Sequence, residues 1–349
     1  MNCSVPAPDE HAPPLSSRPA GLREALLALA PGWALSVAQL AHASGLPLAM
    51  VATSVDALRA AGLPVQSPRA GWYRLPWALQ MLDAGQIRAA LPAAAAARLG
   101  ALEVCFELDS TSTELQRRGA AAPDLGFLLA ESQSAGRGRR GRVWLSPPGL
   151  NLQISCLKRF AGGVGGLAGL SLVVGLSVLR GLEALGVTGV GLKWPNDLQA
   201  RSGPDAGGKL AGILVELAGG RQGPATAIVG VGLNLRLTAA MRERVAQPLA
   251  DLAGLCGGQP PDRNLVAAGL VAALIDGLRE FEDAGFAAFR ADYARHDLLR
   301  GQALRLTGGG LGPFAGVGAG IDARGALQVR LADGTTRTLD SAEISVRRP

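Results

Sequence analysis

Apolar runs punctuate the middle of the chain at intervals that favour a sheet. "GFLLAE" (126–131), "LNLQISC" (150–156), "GVGLKW" (189–194), "LAGILVEL" (210–217) and "TAIVGVGLNL" (226–235) are short and bounded by Gly, Pro or charged residues. Runs of this kind read as strands. Longer stretches at about 165–186 and about 264–290 read as helices. Together they predict an α/β (α+β) domain built on a mixed sheet, spanning 101–298.

The flanks differ in texture. After residue 298, "QALRLTG", "FAGVGAGID", "ALQVRLAD", "TTRTLD" and "ISVRR" alternate between Gly and Asp turns, which predicts a small β-barrel over 299–349. At the other end, Leu22, Ala25, Leu26 and Leu29 repeat at helical spacing until Pro31-Gly32. "SVAQLAHASG" opens on a Ser cap and closes at Gly45, and "LAMVATSVDALRAAG" puts Val51, Val55 and Leu58 on one face. "LPVQSPRAGWYRLP" reads as two strands around a turn at Ser67 to Gly71. Helix, helix, turn, helix, hairpin over 21–80 is the order of a winged helix-turn-helix. A small helical adaptor with no role on DNA fits the same order. The Ala-rich stretch 81–100 predicts a helical connector. Residues 1–20, with Pro6, Pro8, Pro13, Pro14 and Pro19, predict a disordered tail.

Composition narrows the setting. The net charge of +6 permits anionic partners, nucleotide or nucleic acid, without choosing between them. Cys3, Cys105, Cys156 and Cys256 lack metal-ligand spacing, which reads as reduced thiols in a cytoplasmic protein. The run from Leu167 to Leu179 contains Gly and Ser and is too short for a bilayer span, so no membrane partner is expected.

The central domain carries four polar constellations. "AGRGRRGRVW" (135–144) is a flexible cationic loop running into Trp144. Glycine-rich backbone cradles anions and arginine grips carboxylate or phosphate in a planar fork. An RGG-like RNA-binding segment or a plain surface loop reads equally well. "LDSTSTE" (108–114) supplies Ser110, Thr111 and Ser112 for a neutral polar ligand, or else a helix cap completed by Glu114. "KWPNDL" (193–198) sets Asn196 and Asp197 at a strand end, suited to phosphate or Mg²⁺ or to an Asx turn. "GGKLAGILVE" (207–216) starts an apolar strand with Lys209. Asn234 follows two glycines where backbone can approach a ligand.

In their order and spacing, "DST", "QSAGRGRRGRVWLSPPGLNL", "KWPND", "KLAGILVE", "GVGLNL" and "EISVR" resemble the bacterial biotin–protein ligases, in particular the bifunctional type that also represses biotin-synthesis genes. The resemblance runs from about 22 to 347 and implies an SH3-like fold for the C-terminal barrel. It implies activation of biotin by Mg²⁺ and ATP to biotinyl-5′-AMP, then transfer to a lysine of the biotin carboxyl carrier protein of acetyl-CoA carboxylase. By matching position, biotin would be held by Ser110, Thr111, Ser112, Gln133, Arg137, Gly138, Arg139 and Lys209. ATP or the adenylate would meet Arg139, Arg140, Arg142, Trp144, Asn196 and Asn234, with Asp197 on Mg²⁺. Lys209, Arg137 and Arg139 would carry the catalysis. Biotin-operon DNA would meet Thr53, Ser54, Arg59 and Arg69, and a homodimer is expected when the adenylate is bound.

The chain departs from that family at three places. "SGPDAGG" (202–208) is extra and predicts a longer hairpin. The segment after "GVGLNL" lacks a tryptophan that the family places near adenine. The helix after Pro47 is poor in basic side chains. Competing readings are a ligand-sensing transcription factor and an RNA-binding protein. "KWPND" and "KLAGILVE" have no use in the latter.

Overall fold

The computed structural model describes residues 21–308, 311–340 and 344–347. The tail expected at 1–20, with Cys3, lies outside the described residues.

The chain opens with α1 (Leu22–Leu29), β1 (Leu35–Ser36), α2 (Val37–Ser44), α3 (Leu48–Ala60) and β2 (Trp72–Tyr73). The apolar face of α1 packs with Leu40, Val51, Val55 and Leu58 into a core of its own. A capping box starts α2: Gln39 N–H donates to Ser36 Oγ, and Ser36 N–H donates to Gln39 Oε1. Gly45, at φ 69°, ends it. The expected hairpin shrinks to a single bridge between Gln66 and Arg74. Pro64 in its first arm and Pro68 in its turn lack N–H donors, and Trp72–Tyr73 pairs instead with Leu35–Ser36. Ser54, a candidate for DNA, is fully buried inside this core. It follows Val51 by three positions and so shares its inward face. Thr53, Arg59 and Arg69 are exposed.

The connector is two short helices, α4 (Ala84–Ala89) and α5 (Ala93–Ala96), rather than one. They part at Pro92, which cannot continue a helix. Just before them the chain is anchored to the next unit. Buried Arg263 pairs with buried Glu131 and donates to the carbonyls of Gln80 and Asn151, while Leu82 N–H donates to Glu131.

The central unit follows as β3 (Ala101–Leu108), α6 (Thr111–Arg118), β4 (Gly126–Gln133), β5 (Asn151–Phe160), α7 (Leu170–Ala184), β6 (Val190–Lys193), β7 (Asp197–Ala200), β8 (Lys209–Gly219) and β9 (Ala225–Asn234). Then come α8 (Ala239–Arg244), α9 (Leu252–Leu255), α10 (Arg263–Ala284) and α11 (Arg290–His296). The strands make one seven-stranded sheet in the order β3-β4-β5-β9-β8-β7-β6. Only β3 and β4 pair in parallel, and every other neighbouring pair is antiparallel. The sheet is therefore mixed, as expected. The Gly-rich segment 202–208 lies in the β7–β8 connection.

Strand alternation decides where the site sits. Leu152, Ile154 and Cys156 of β5 and Val229, Val231 and Leu233 of β9 face α7 and α10 in the main core. The opposite face is covered at one end by α6, through Leu115, Leu128, Leu157 and Ile228. Beyond α6 that face presents Gln153, Ser155, Gly230, Gly232, Gly212 and Leu214 to a cavity.

The C-terminal strands are β10 (Ala303–Gly308), β11 (Leu311–Ile321), β12 (Leu327–Arg330), β13 (Thr336–Leu339) and β14 (Ile344–Arg347). They form a five-stranded antiparallel sheet, ordered β13-β12-β11-β10-β14. Leu304, Leu306, Leu327, Val329 and Leu339 join the main core. Trp194 is turned this way: its buried indole N–H donates to Gly325 O at 2.9 Å. The tryptophan of "KWPND" therefore braces the C-terminal sheet and does not face the cavity. No described helix is long and apolar enough to cross a membrane. Cys105, Cys156 and Cys256 are free thiols.

Candidate functional site

A cavity of about 590 Å³ gathers Ser110, Thr111, Ser112, Gln133, Trp144, Asn196, Lys209, Asn234 and the whole arginine loop from Arg137 to Arg142. Asp197 is not among its lining residues.

One end is a neutral hydrogen-bonding cluster. Ser110 caps α6, its hydroxyl accepting from Thr113 N–H. Glu114 completes no capping box; it lies four positions beyond the cap and pairs with Arg117 and Arg118. Thr111 donates from its N–H and its hydroxyl to Gln133 Oε1 at 2.8 and 3.1 Å. The Thr111 and Ser112 hydroxyls share Ser155 Oγ at 2.7 and 2.9 Å. With so many groups that both give and accept protons, this end suits a neutral polar ligand.

The arginine loop folds back on itself. Gly138 N–H donates to Arg142 O at 2.7 Å and Trp144 N–H to Gly136 O at 2.8 Å. Arg140 turns the corner in the left-handed region at φ 61°, followed by Gly141 at φ 68°. Arg137 reaches Glu216 of β8 at 2.8 Å, and Arg139 Nη1 donates to Asn196 Oδ1 at 3.2 Å. Burial first, then the neighbouring Arg140 and Arg142, lower the pKa of Arg139, with Asp197 opposing. Arginine nonetheless stays charged, so the loop concentrates positive charge over the cavity.

The loop ends in Trp144, and Gly232 on the floor leaves room for its ring. A Cβ at Gly232 would lie 2.4 Å from Trp144 Cε2, and one at Gly212 would meet Lys209 Nζ at 2.9 Å and Trp144 Cζ3 at 3.3 Å. Gly230 similarly makes room for the Ser112 hydroxyl, 2.7 Å from where its Cβ would be. The glycines of "GVGLNL" thus admit side chains from across the cavity.

Lys209 stands beside this ring, its Nζ 5.7 Å from the Trp144 centroid and 2.7 Å from Asp197 Oδ1. Asn234 lines the cavity as well. Its amide nitrogen donates to the carbonyls of Lys209 (3.2 Å) and Ala250 (3.1 Å), which pins the backbone under the cation. Asn196 Nδ2 is likewise committed, to Ile213 O at 2.8 Å. As a metal ligand Asp197 is poorly placed, since it lies outside the cavity lining and its Oδ1 is 2.7 Å from the Lys209 cation. Among the described residues no group of three His, Cys, Asp or Glu could hold a metal ion. These donors do not fit a resident metal centre.

Other lining residues had no place in the sequence reading. Gln153 is 1% exposed, and neither polar atom of its side chain has a hydrogen-bond partner. A carboxamide buried in this state is costly until a ligand meets it. Its signal was the polar pair Gln153 and Ser155 at strand spacing inside an apolar run. Leu237, Met241, Arg244, Val245, Gln247 and Leu249 close the far end of the cavity. Nothing in their local sequence marks them; the chain path after β9 brings them there.

Known proteins match this arrangement. Residues 105–234 fit the model of the Biotin/lipoate A/B protein ligase family, and 301–347 that of the Biotin protein ligase C terminal domain. The bifunctional ligase/repressor BirA of Salmonella typhimurium is 34% identical over 319 residues, 91% of this chain and 95% of the relative. The chain belongs to the biotin protein ligase family. The BirA of Escherichia coli is 35% identical over 309 residues, 88% of this chain and 92% of its own length. A solved biotin protein ligase of Aquifex aeolicus, in complex with biotin and ATP, superposes with a TM-score of 0.59 at 28% identity. It covers 71% of this chain and 99% of that one. Within this ligase family, the loop, the hydroxyl cluster and Lys209 all meet at one cavity of the present chain.

Proposed function

We infer that this chain is a biotin–[acetyl-CoA-carboxylase] ligase, forming biotinyl-5′-AMP from biotin and ATP and passing the biotinyl group to a carrier lysine. The observation that carries the reading is one cavity with a neutral hydrogen-bonding end, an aromatic wall and two cations, Lys209 and Arg139, in a chain of this family.

The lining residues support one allocation of the substrates. The ureido ring of biotin suits Ser110, Thr111, Ser112, Gln133 and the orphaned carboxamide of Gln153. The apolar rings and chain suit Trp144 over the glycine floor. The biotin carboxylate then falls beside Lys209 and Arg139, and the adenosine falls against Leu237, Met241, Val245 and Leu249.

In the first step a carboxylate oxygen attacks the α-phosphorus of ATP and the bond to the β-phosphate oxygen breaks, releasing pyrophosphate. Two anions must approach, so cations fixed at the junction offset both their repulsion and the charge that grows at phosphorus. Arg137, Arg140 and Arg142 add to that field from the loop. In the second step the carrier lysine attacks the acyl carbon, AMP leaves, and the amine loses a proton as the amide forms. No side-chain nucleophile is required. Magnesium would arrive on the phosphates of ATP, because the described residues offer no cage for it.

The N-terminal unit supports a second role, as a winged helix-turn-helix repressor module on biotin-operon DNA. α3 would be the reading helix, with Thr53, Arg59 and Arg69 facing outward and the adenylate-bound form dimeric. The C-terminal sheet is read as an SH3-like barrel, and the cytoplasm as the place where carrier and ATP meet the enzyme.

The test is incubation of the purified chain with biotin, Mg·ATP and a biotin carrier domain. Mass spectrometry should find one biotinyl group on the carrier lysine, and pyrophosphate should appear with biotin and Mg·ATP even when the carrier is left out. Neither product forming would end the ligase reading.

A further inference from the structure

The extra β7–β8 segment reaches across to the far end of the cavity. Asp205, in that segment, meets Arg242 of α8 through both oxygens: Nη1 to Oδ1 at 3.1 Å and Nη2 to Oδ2 at 2.8 Å. The same guanidinium donates to Leu249 O at 2.9 Å and lies 3.6 Å from Asp251 Oδ2. Asp251 in turn accepts from the N–H groups of Leu237 and Gly254. One planar fork therefore ties together the extra hairpin, α8 and the returning segment at 249–251.

What it ties is the wall of the cavity. Met241 and Arg244 flank Arg242 on α8, and Leu237, Val245 and Leu249 complete that wall. α8 has six residues, too few to hold its own shape in water. Bidentate pairing fixes direction as well as distance. A wall ordered beforehand spares the ligand the entropy of ordering it.

We propose that Asp205 is a positioning residue for the nucleotide end of the site, acting through Arg242 to hold α8 in its ligand-binding shape. This rests on the reading that the α8 wall receives the adenosine of ATP. The extra segment is then a brace built into this chain, and its effect falls on ATP rather than on biotin.

The experiment uses the full chain and measures pyrophosphate release while ATP is varied, with biotin binding measured separately without nucleotide. Asp205→Asn keeps the size and removes the charge. It should raise KM for ATP by about five-fold, near the upper end for a partly exposed ion pair, and leave kcat and biotin affinity near wild type. Asp205→Glu, which can still offer two oxygens, should recover most of the loss. An unchanged KM for ATP in Asp205→Asn, or an equal loss of biotin affinity, would overturn the proposal. So would an Asp205→Glu variant no better than Asp205→Asn. Wild-type pyrophosphate release in the same assay keeps failure of the ligase reading separate from failure of the brace.

Discussion

Lys209 Nζ lies 2.7 Å from Asp197 Oδ1, while the preceding residue, Asn196, accepts from Arg139 at 3.2 Å. Consecutive residues where a turn enters β7 thus hold both cations of the junction, one arriving from β8 and the other from the loop. Such a turn can set their spacing before any substrate enters, which is how charge stabilisation avoids reorganisation during reaction.

Lys209→Met should slow biotinyl-AMP formation by about 10²–10³-fold, corresponding to roughly 2–4 kcal/mol of barrier. Biotin binding should weaken less, because the cation acts mainly on charge that develops in the transition state. The substitution also strands the Asp197 carboxylate, which itself destabilises the fold. Adding Asp197→Asn separates the two effects: thermal stability should return and activation should stay slow. A double variant with near-normal pyrophosphate release would remove Lys209 from the chemistry.

Gly232→Ala should damage biotin binding from beneath. The new methyl would press on the Trp144 ring, and the sheet backbone cannot retreat, so strain of about 1–3 kcal/mol is expected. Calorimetry should show biotin affinity reduced by about ten-fold, within the range that such strain allows. Wild-type affinity would mean that the ring is not a wall of the occupied site.

Tryptic cutting after Arg137, Arg139, Arg140 and Arg142 reports how firmly the loop is held. Removing its contact with β8 by Glu216→Ala should speed cleavage, because like charges in the loop then repel with one fewer anchor. Biotin with ATP should slow cleavage in both proteins by supplying an anion. Cutting rates that ignore both the substitution and the ligands would contradict closure over the substrates.

DNA binding by the N-terminal unit should depend only shallowly on salt. Its arginines are Arg23, Arg59, Arg69 and Arg74, and each has an intramolecular partner. Arg23 lies over Phe106, Arg59 reaches Asp56 and Ser67, Arg69 stacks on Trp72, and Arg74 holds Gln66. With at most these contacts, the slope of log affinity against log salt should be no steeper than about −4 per protomer. Titration on biotin-operon DNA across salt concentrations measures it. Protection of a two-fold symmetric site supports repression, whereas affinity equal to that for random DNA argues for a purely structural unit.

Legibility in the sequence followed the range of the forces involved. Alternation in "LNLQISC" and "TAIVGVGLNL" is a property of adjacent residues, so the strands and their inward faces could be read directly. The signature residues around Ser110, Arg139 and Lys209 converge because the sheet brings their strand ends together, and family resemblance anticipated that meeting. Side-chain assignments at one remove were harder. Ser54 looked available until the α1–α3 core claimed its face. Trp194, inside the "KWPND" run, has its N–H taken by Gly325 of a distant turn, a partner no local pattern announces. Asn234 does line the cavity, but that its amide nitrogen would be held by backbone carbonyls far along the chain had no local signal. The α8 wall carries no local signal, because its placement depends on where β9 releases the chain.

The bond from Trp194 to Gly325 has a consequence for how the molecule can be divided. The N-terminal unit has an apolar interior of its own, whereas the C-terminal strands contribute Leu304, Leu306, Leu327, Val329 and Leu339 to the cluster that α7 and α10 build on the sheet. Severing the chain near residue 298 would leave an indole N–H without an acceptor and an open seam in that shared interior. The two ends of the protein are therefore unlike in kind: one is an attachment, and the other is a keystone without which the enzyme has no closed interior.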